Sequence, residues 1–220
     1  MFRSHWALCV LLGIAAVVTP VGCLAAQPDL DPEALAILKA TSGAITGANA
    51  FSFRVRVSHD RQATNNQLVT YFKEETVTVS RPDKLRIDVD GEHHDVQFFF
   101  DGKAATLFDP KTKLYALHPA PGTIDAMLQV LQKQGVSFPI NNLLESNPYN
   151  SLAEGLQTAY IVGRVDINHK TFIHLVFTEA SADWQLWVEP GDKPLPRALI
   201  IIYKTEQGMP RIAMDSRIGT

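Results

Sequence analysis

Cysteine is nearly missing from this chain. The two present, Cys9 and Cys23, lie in or beside an N-terminal leader, so cleavage near Ala26 leaves a mature chain with none. That excludes a disulfide framework, a thiol nucleophile and a thiolate metal site. An excess of charge is missing as well. The 20 basic and 23 acidic residues give a formal charge of −3 with no basic block, which argues against nucleic acid and against a polybasic grip on lipid headgroups. Contact with acyl chains is left open. No apolar run beyond the leader reaches the roughly 18 residues that a spanning helix needs. Also absent are the G-x-S-x-G elbow, S-x-x-K, a Walker loop, a dinucleotide fingerprint and H-E-x-x-H. The readily recognised enzymes are thereby removed, and nothing calls for a cofactor.

What is present starts with the leader. Arg3 precedes an apolar run from Ala7 to Val18, Thr19-Pro20 breaks it, and the small residues Gly22, Ala25 and Ala26 follow. This is the pattern of a secretory signal peptide over residues 1–26, so the mature chain is expected in the periplasm. Val21-Gly22-Cys23 partly resembles the lipoprotein box in which the cysteine is acylated, but Pro20 stands where leucine is usual. Ordinary cleavage near Ala26 is the preferred reading, and anchoring through Cys23 is the alternative. With 220 residues and 46% hydrophobic side chains the chain can bury one substantial core, so residues 27–220 are expected to form a single domain.

The stretch from Arg81 to His118 reads as four consecutive strands around which the rest is organised. Leu85, Ile87 and Val89 alternate with Lys84, Arg86, Asp88 and Asp90, whereas Val96, Phe98 and Phe100 face away from Gln97 and Phe99, so both faces of that run are apolar. Asp101-Gly102 and Asp109-Pro110-Lys111-Thr112 supply turns. Before it, Phe51, Phe53, Val55 and Val57 alternate with polar residues, Asp60 to Gln67 is a loop, and Leu68 to Ser80 is one long strand. A bulge or sheet edge is expected at Lys73-Glu74-Glu75, where the apolar pattern is interrupted. Five more strands follow: Tyr160 to Ile167, Lys170 to Thr178, Asp183 to Glu189, Arg197 to Tyr203 and Arg211 to Arg217.

Helical signals occupy two places. Asp31 caps a helix with Pro32 at its first position, a Leu30–Leu35 staple, a stripe of Leu35, Leu38, Ser42 and Ile45, and a stop at Gly47. Thr123 caps a second, with Ile124, Met127, Leu128 and Leu131 on one face and Gly135 at its end; Phe138 to Leu144 and the segment after Asn147-Pro148 form short turns of helix. Helix, strands, helical insert, strands is the order of an α+β domain, with a curved antiparallel sheet and helices on one side.

Few residues invite chemistry. His93 and His94 would point to opposite faces of a strand, and His169 and His174 meet the same objection, so neither pair makes a metal site. His59 and His118 sit near strand ends without a nameable partner. Asp88 and Asp90 would stand about 7 Å apart on one face, as paired catalytic carboxylates do, yet Lys84 and Arg86 share that face and make it a charge-balanced, solvated surface. Trp184 falls with Leu186 and Val188 in the core, and Trp187 falls on the other face. The informative excess is apolar: Val96 to Phe100, Ile173 to Phe177 and Ala198 to Tyr203 are apolar on both faces. One face can take the helices. The other needs a closed barrel, a partner protein or a lipid, and an acyl chain suffices because each buried CH₂ contributes about 0.8 kcal/mol.

The segments LDPEAL, FSFRVRV, RPDKLRIDVDG, FFFDGKAATLFDPKTKLYA, PAPGTIDAML, NPYNSL and DWQLWVEPGDKPLPRALIIIYK, in that order and spacing, resemble an uncharacterised family of predicted bacterial periplasmic proteins, the domain of unknown function 2092. The likeness spans nearly the whole mature chain. By architecture that family resembles the lipoprotein-carrier superfamily of LolA and LolB. The resemblance implies an unclosed half-barrel with helices in its concave side, those starting at Asp31 and Thr123 acting as a lid over an apolar cavity for acyl chains. It brings no catalytic residues. The leading expectation is therefore a non-enzymatic carrier of lipid or lipoprotein acyl chains, lined by Phe98, Phe100, Leu107, Ile124, Met127, Leu128, Leu131, Trp184, Leu186, Leu199 and Ile201. The alternative is an envelope interaction or sensor module on the same fold, with an envelope hydrolase third.

Overall fold

Alternation in the sequence becomes a sheet of twelve strands in the computed structural model, which describes residues 29–136 and 140–217. The leader and Cys23, like Phe138, lie outside the described residues. A two-residue strand β1 (Asp29–Leu30) leads into helix α1 (Pro32–Thr46). Six strands follow: β2 (Ala50–Gln62), β3 (Leu68–Ser80), β4 (Lys84–Gly91), β5 (Val96–Phe100), β6 (Ala104–Phe108) and β7 (Tyr115–Pro119). Helices α2 (Ile124–Lys133), α3 (Asn141–Leu144) and α4 (Pro148–Ala153) make up the insert. The last five strands are β8 (Thr158–Ile167), β9 (Lys170–Thr178), β10 (Ala182–Val188), β11 (Pro196–Tyr203) and β12 (Arg211–Arg217).

The sheet order is β1-β8-β9-β10-β11-β12-β2-β3-β4-β5-β6-β7, antiparallel except where β1 joins β8. It is curved and does not close. Two up-and-down meanders, β2 to β7 and β8 to β12, meet where β12 pairs with β2 from Ile212↔His59 to Arg217↔Arg54. The Arg81–His118 meander, β4 to β7, is thus the outer part of one wing rather than the centre. The middle of the sheet is a non-local seam, which no local pattern announces because its two strands are distant in sequence.

Local chemistry fixes the turns and helix ends. Asp101 Oδ1 accepts from the backbone N–H groups of Lys103 and Ala104, and Gly102 takes φ +87°, so the β5–β6 turn uses the left-handed freedom of glycine. Asp109 Oδ1 does the same for Lys111 and Thr112 in the next turn. Asp31 caps α1 by accepting from Glu33 N–H at 2.8 Å, and Thr123 caps α2 by accepting from Ala126 N–H at 3.3 Å. Three details depart from the sequence reading. The β2–β3 loop is shorter than Asp60–Gln67, because β2 continues to Gln62. In α1 the buried positions are Ala34, Leu38, Thr41 and Ser42, with Leu35 and Ile45 only half-buried. The expected irregularity at 73–75 does not exist: β3 pairs without interruption with β2 and lies between β2 and β4. Lys73 and Glu75 keep the parity of Val77 and Val79 and point inward as an ion pair, Nζ to Oε1 at 2.7 Å, so the pattern is broken by chemistry and not by geometry.

Register puts the buried apolar side chains of β2 to β6 and β8 to β10 on one face, which carries the helices. Two cores form there. One joins β2 to β6 and Met214 to Ile124, Met127, Leu128 and Leu131 of α2 and Ile140 and Leu144 around α3. The other joins β8 to β10 to Ala34 and Leu38 of α1 and to Tyr149, Leu152 and Leu156 around α4. The opposite face has no helix on it among the described residues; it is charged over β2 to β4 and half-apolar over β9 to β11, where Trp187, Ile200 and Ile202 are half-buried. Arg86 grips Asp88 through two hydrogen bonds of 2.8 and 2.9 Å, and its guanidinium lies 5.2 Å from the Phe99 ring, so Asp88 is held in a surface ion pair as the charge pattern predicts.

Candidate functional site

The two cores leave a strip between them. Leu199 of β11 borders both, while Ile201 of β11 and Ile212 of β12 are each only partly buried, because α2 and α3 cover one wing and α1 and α4 the other. Two cavities open over this strip. The first, about 360 Å³, lies between the sheet seam and a roof from the C-terminal end of α1 and from α3; Ile45, Phe51, Phe53, Leu143, Leu199 and Met214 dominate its lining. The second, about 610 Å³, extends over β10 and β11 under α3 and α4 and is more polar, with His59, Glu179 and Glu206 beside Trp184, Leu186 and Ile201. Leu143 and Leu199 line both and stand between them. Both volumes fall in the range of roughly 300–1,000 Å³ typical of small-molecule sites.

The roof over the first cavity is tied down from outside. Helix α3 has four residues and no side-chain cap, too little to hold itself. Arg81 in the β3–β4 turn donates from Nη1 to the Leu144 carbonyl at 3.0 Å, and its guanidinium lies 5.9 Å from the Phe51 ring. Asp125 of α2 accepts from Ser146 N–H at 2.9 Å, just beyond α3. Burial of the Arg81 guanidinium lowers its pKa, with the nearby Asp125 carboxylate opposing that shift.

Charge is unevenly placed. Among the described residues, the first cavity has Lys193 and Arg197 as its only charged lining residues. Arg197 is the extra residue of a bulge, since Trp187 pairs with Ala198 and Val188 with Pro196. Its Nη1 donates to the Asp215 carboxylate and to the Ser216 carbonyl. At the second cavity His59 has its pKa lowered, by burial first and then by the positive charges of Lys73 and Arg61. Its ring lies 5.8 Å from Tyr71, which in turn is 4.5 Å from His93. Among the described residues, no group of three or more His, Cys, Asp or Glu side chains is arranged to hold a metal ion.

The residues expected to line a cavity divide into three sets. Trp184, Leu186, Leu199 and Ile201 border the cavities. Phe98, Phe100, Ile124, Met127, Leu128 and Leu131 are packed together in the first core and touch neither. Leu107 shares the face of its partner Phe98, as alternation predicts, yet is 45% exposed near the open β7 edge of the sheet. Trp184 stacks on Phe177 at 3.9 Å and donates from its indole N–H to Glu179 at 2.8 Å. Trp187 lies on the uncovered face, stacked on His174 at 4.1 Å. Ile45, Phe51, Phe53 and Met214 belong to the site and were not among the expected liners. Their alternation and helical spacing gave a dry face, but which part of that face lies under a gap depends on where the helices stop.

Likeness to solved structures is one of overall course with little sequence in common. The crystal structure of LprF from Mycobacterium bovis aligns at 14% identity over 88% of this chain and 94% of that one, with a TM-score of 0.49. The lipoprotein LppX from Mycobacterium tuberculosis aligns at 12% identity over 85% and 94%, also at 0.49. A LolA superfamily protein from Nitrosomonas europaea aligns at 12% identity over 84% and 91%, at 0.36. No curated protein sequence matches. Among the described residues no helix is long and apolar enough to cross a membrane. The family model described as predicted periplasmic protein (DUF2092) matches residues 34–216, and the chain therefore belongs to that family of periplasmic proteins, as its sequence segments lead one to expect.

Proposed function

We propose that this protein is a non-enzymatic binding protein of the periplasm that holds an acyl chain of a lipid or lipoprotein between the concave, helix-bearing face of its half-barrel sheet and the helices. The observation that carries this reading is the first cavity, whose lining is carbon almost throughout and lies where the two cores fail to meet. Such a space offers no constellation for bond-making, and its apolar walls favour a ligand whose binding free energy comes from burial, about 0.8 kcal/mol per CH₂. A sixteen-carbon chain supplies ample burial without polar recognition.

Native mass spectrometry of the protein purified from its own envelope tests this. The expected result is a stoichiometric lipid adduct lost only on denaturation, together with acyl chains in the organic extract. An apo mass that takes up no lipid on titration would overturn the carrier reading. A partner-binding role is favoured by one separate feature: the uncovered face of β8 to β11 carries the exposed Tyr160 on the same side as Trp187, with Val162, also exposed, at the β8 bulge between Ile161 and Gly163. Crosslinking in the envelope would report that surface.

A further inference from the structure

We infer that the first cavity selects a long-chain carboxylate, a fatty-acid-type monoanion, over neutral chains of the same length; this rests on the proposed acyl-chain reading of that cavity. Three observations combine. Among the described residues, the charged ones in the lining, Lys193 and Arg197, are both cationic, and no carboxylate lines the space. They sit together on the segment that enters β11, where the bulge at Arg197 displaces that residue from the regular pairing. The two cations are not equally available. Arg197 is already held by Asp215 and the Ser216 carbonyl, while Lys193 makes no hydrogen bond or ion pair among the described residues. One uncompensated positive charge therefore stands at the end of an apolar space, which is the complement of a monoanion attached to a hydrocarbon chain.

The remaining polar side chains argue for a small head. Among the described residues, Ser52 and Ser216 are the only hydroxyl-bearing ones in the lining, and the Ser52 hydroxyl already donates to the Val77 carbonyl at 2.9 Å. A glycerol or sugar head buried there would lack partners for its hydroxyls, each a cost if unpaired. A carboxylate needs only the cation and the water beyond the mouth. Leu143 and Leu199, shared with the second cavity, bound the space on that side.

Titration of the mature protein with oleate, oleyl alcohol and an oleoyl lysophosphatidylglycerol, each below its aggregation limit and read by native mass spectrometry and calorimetry, separates the possibilities. The expected result is oleate binding about tenfold more tightly than the alcohol, the size of one charge-assisted contact. Lys193 is on an exposed loop, so Lys193→Glu should fold normally; it should lower oleate affinity by at least about tenfold and leave the alcohol unchanged. Equal binding of oleate and alcohol would overturn the inference while leaving the acyl-chain reading standing. Preference for the lysophospholipid over oleate would overturn the choice of a carboxylate. Binding of none of the three would overturn both the inference and the reading beneath it.

Discussion

His59 shows how one inward side chain makes stability depend on pH. Burial, helped by the positive charges of Lys73 and Arg61 and opposed by Asp60 and Glu75, lowers its pKa below the ordinary 6.5. The unfolded chain then binds the proton more readily than the folded one. His59 contributes stability that is fully present above 6.5 and is lost as the pH falls through the lower folded value. Replacing it by Phe keeps a ring against Tyr71 and removes the titration. Urea unfolding between about pH 5 and pH 7.5 is expected to show the wild type losing stability relative to His59→Phe on the acid side. A constant difference across that range would mean that the imidazole does not titrate on unfolding. Lys73 and Glu75 mark where residue-level reading of the sequence went astray. A charged pair on a strand looks like an interruption, but when the two point the same way and meet at 2.7 Å they are a continuation of the inner face.

Elements were legible in proportion to how far their fate is local. The face of α2 could be read from Ile124, Met127, Leu128 and Leu131 because 3.6-residue spacing suffices to define it, and all four are buried. Its cap is local too. Thr123→Ala should cost about 1 kcal/mol by removing the acceptor for Ala126 N–H, measurable by denaturant unfolding; a null effect would show that the roof and not the cap holds this helix in place. The α1 stripe was read less well. Ala34 and Thr41 are small or polar, so no apolar pattern favours them, and they are buried because they share with Leu38 the face of α1 that packs on β8 and α4. The cavity liners fall between these cases. Phe51 and Phe53 announced an inner face, but α3, at four residues, has no sequence signature strong enough to say that it would roof them.

At the scale of the molecule the decisive pairing is the seam. The strands were recognisable one by one, yet nothing short-range joins β12 to β2, and Arg211 N–H reaches Asp60 Oδ2 across 151 positions. Ala213 pairs with Ile200 on one side and Ser58 on the other, so proline there would remove a ladder hydrogen bond in the middle of the sheet. Ala213→Pro is expected to destabilise the protein by about 3 kcal/mol or more and to weaken amide protection in β2 and β11 together. Loss of protection confined to the β8–β12 wing would show that the β2–β7 wing is stable by itself.

The seam also sets an order of events during synthesis and export. A chain that emerges from its N-terminus completes β2 to β7 first, and residues Arg54 to His59 of β2 then present unmatched backbone groups on the side that β12 later takes. The matching strand arrives only with residues 211–217, after every other strand. Until then the two wings cannot join across the middle of the sheet. The arrangement that leaves the cavities over the seam therefore also delays closure of the fold until the last strand has crossed.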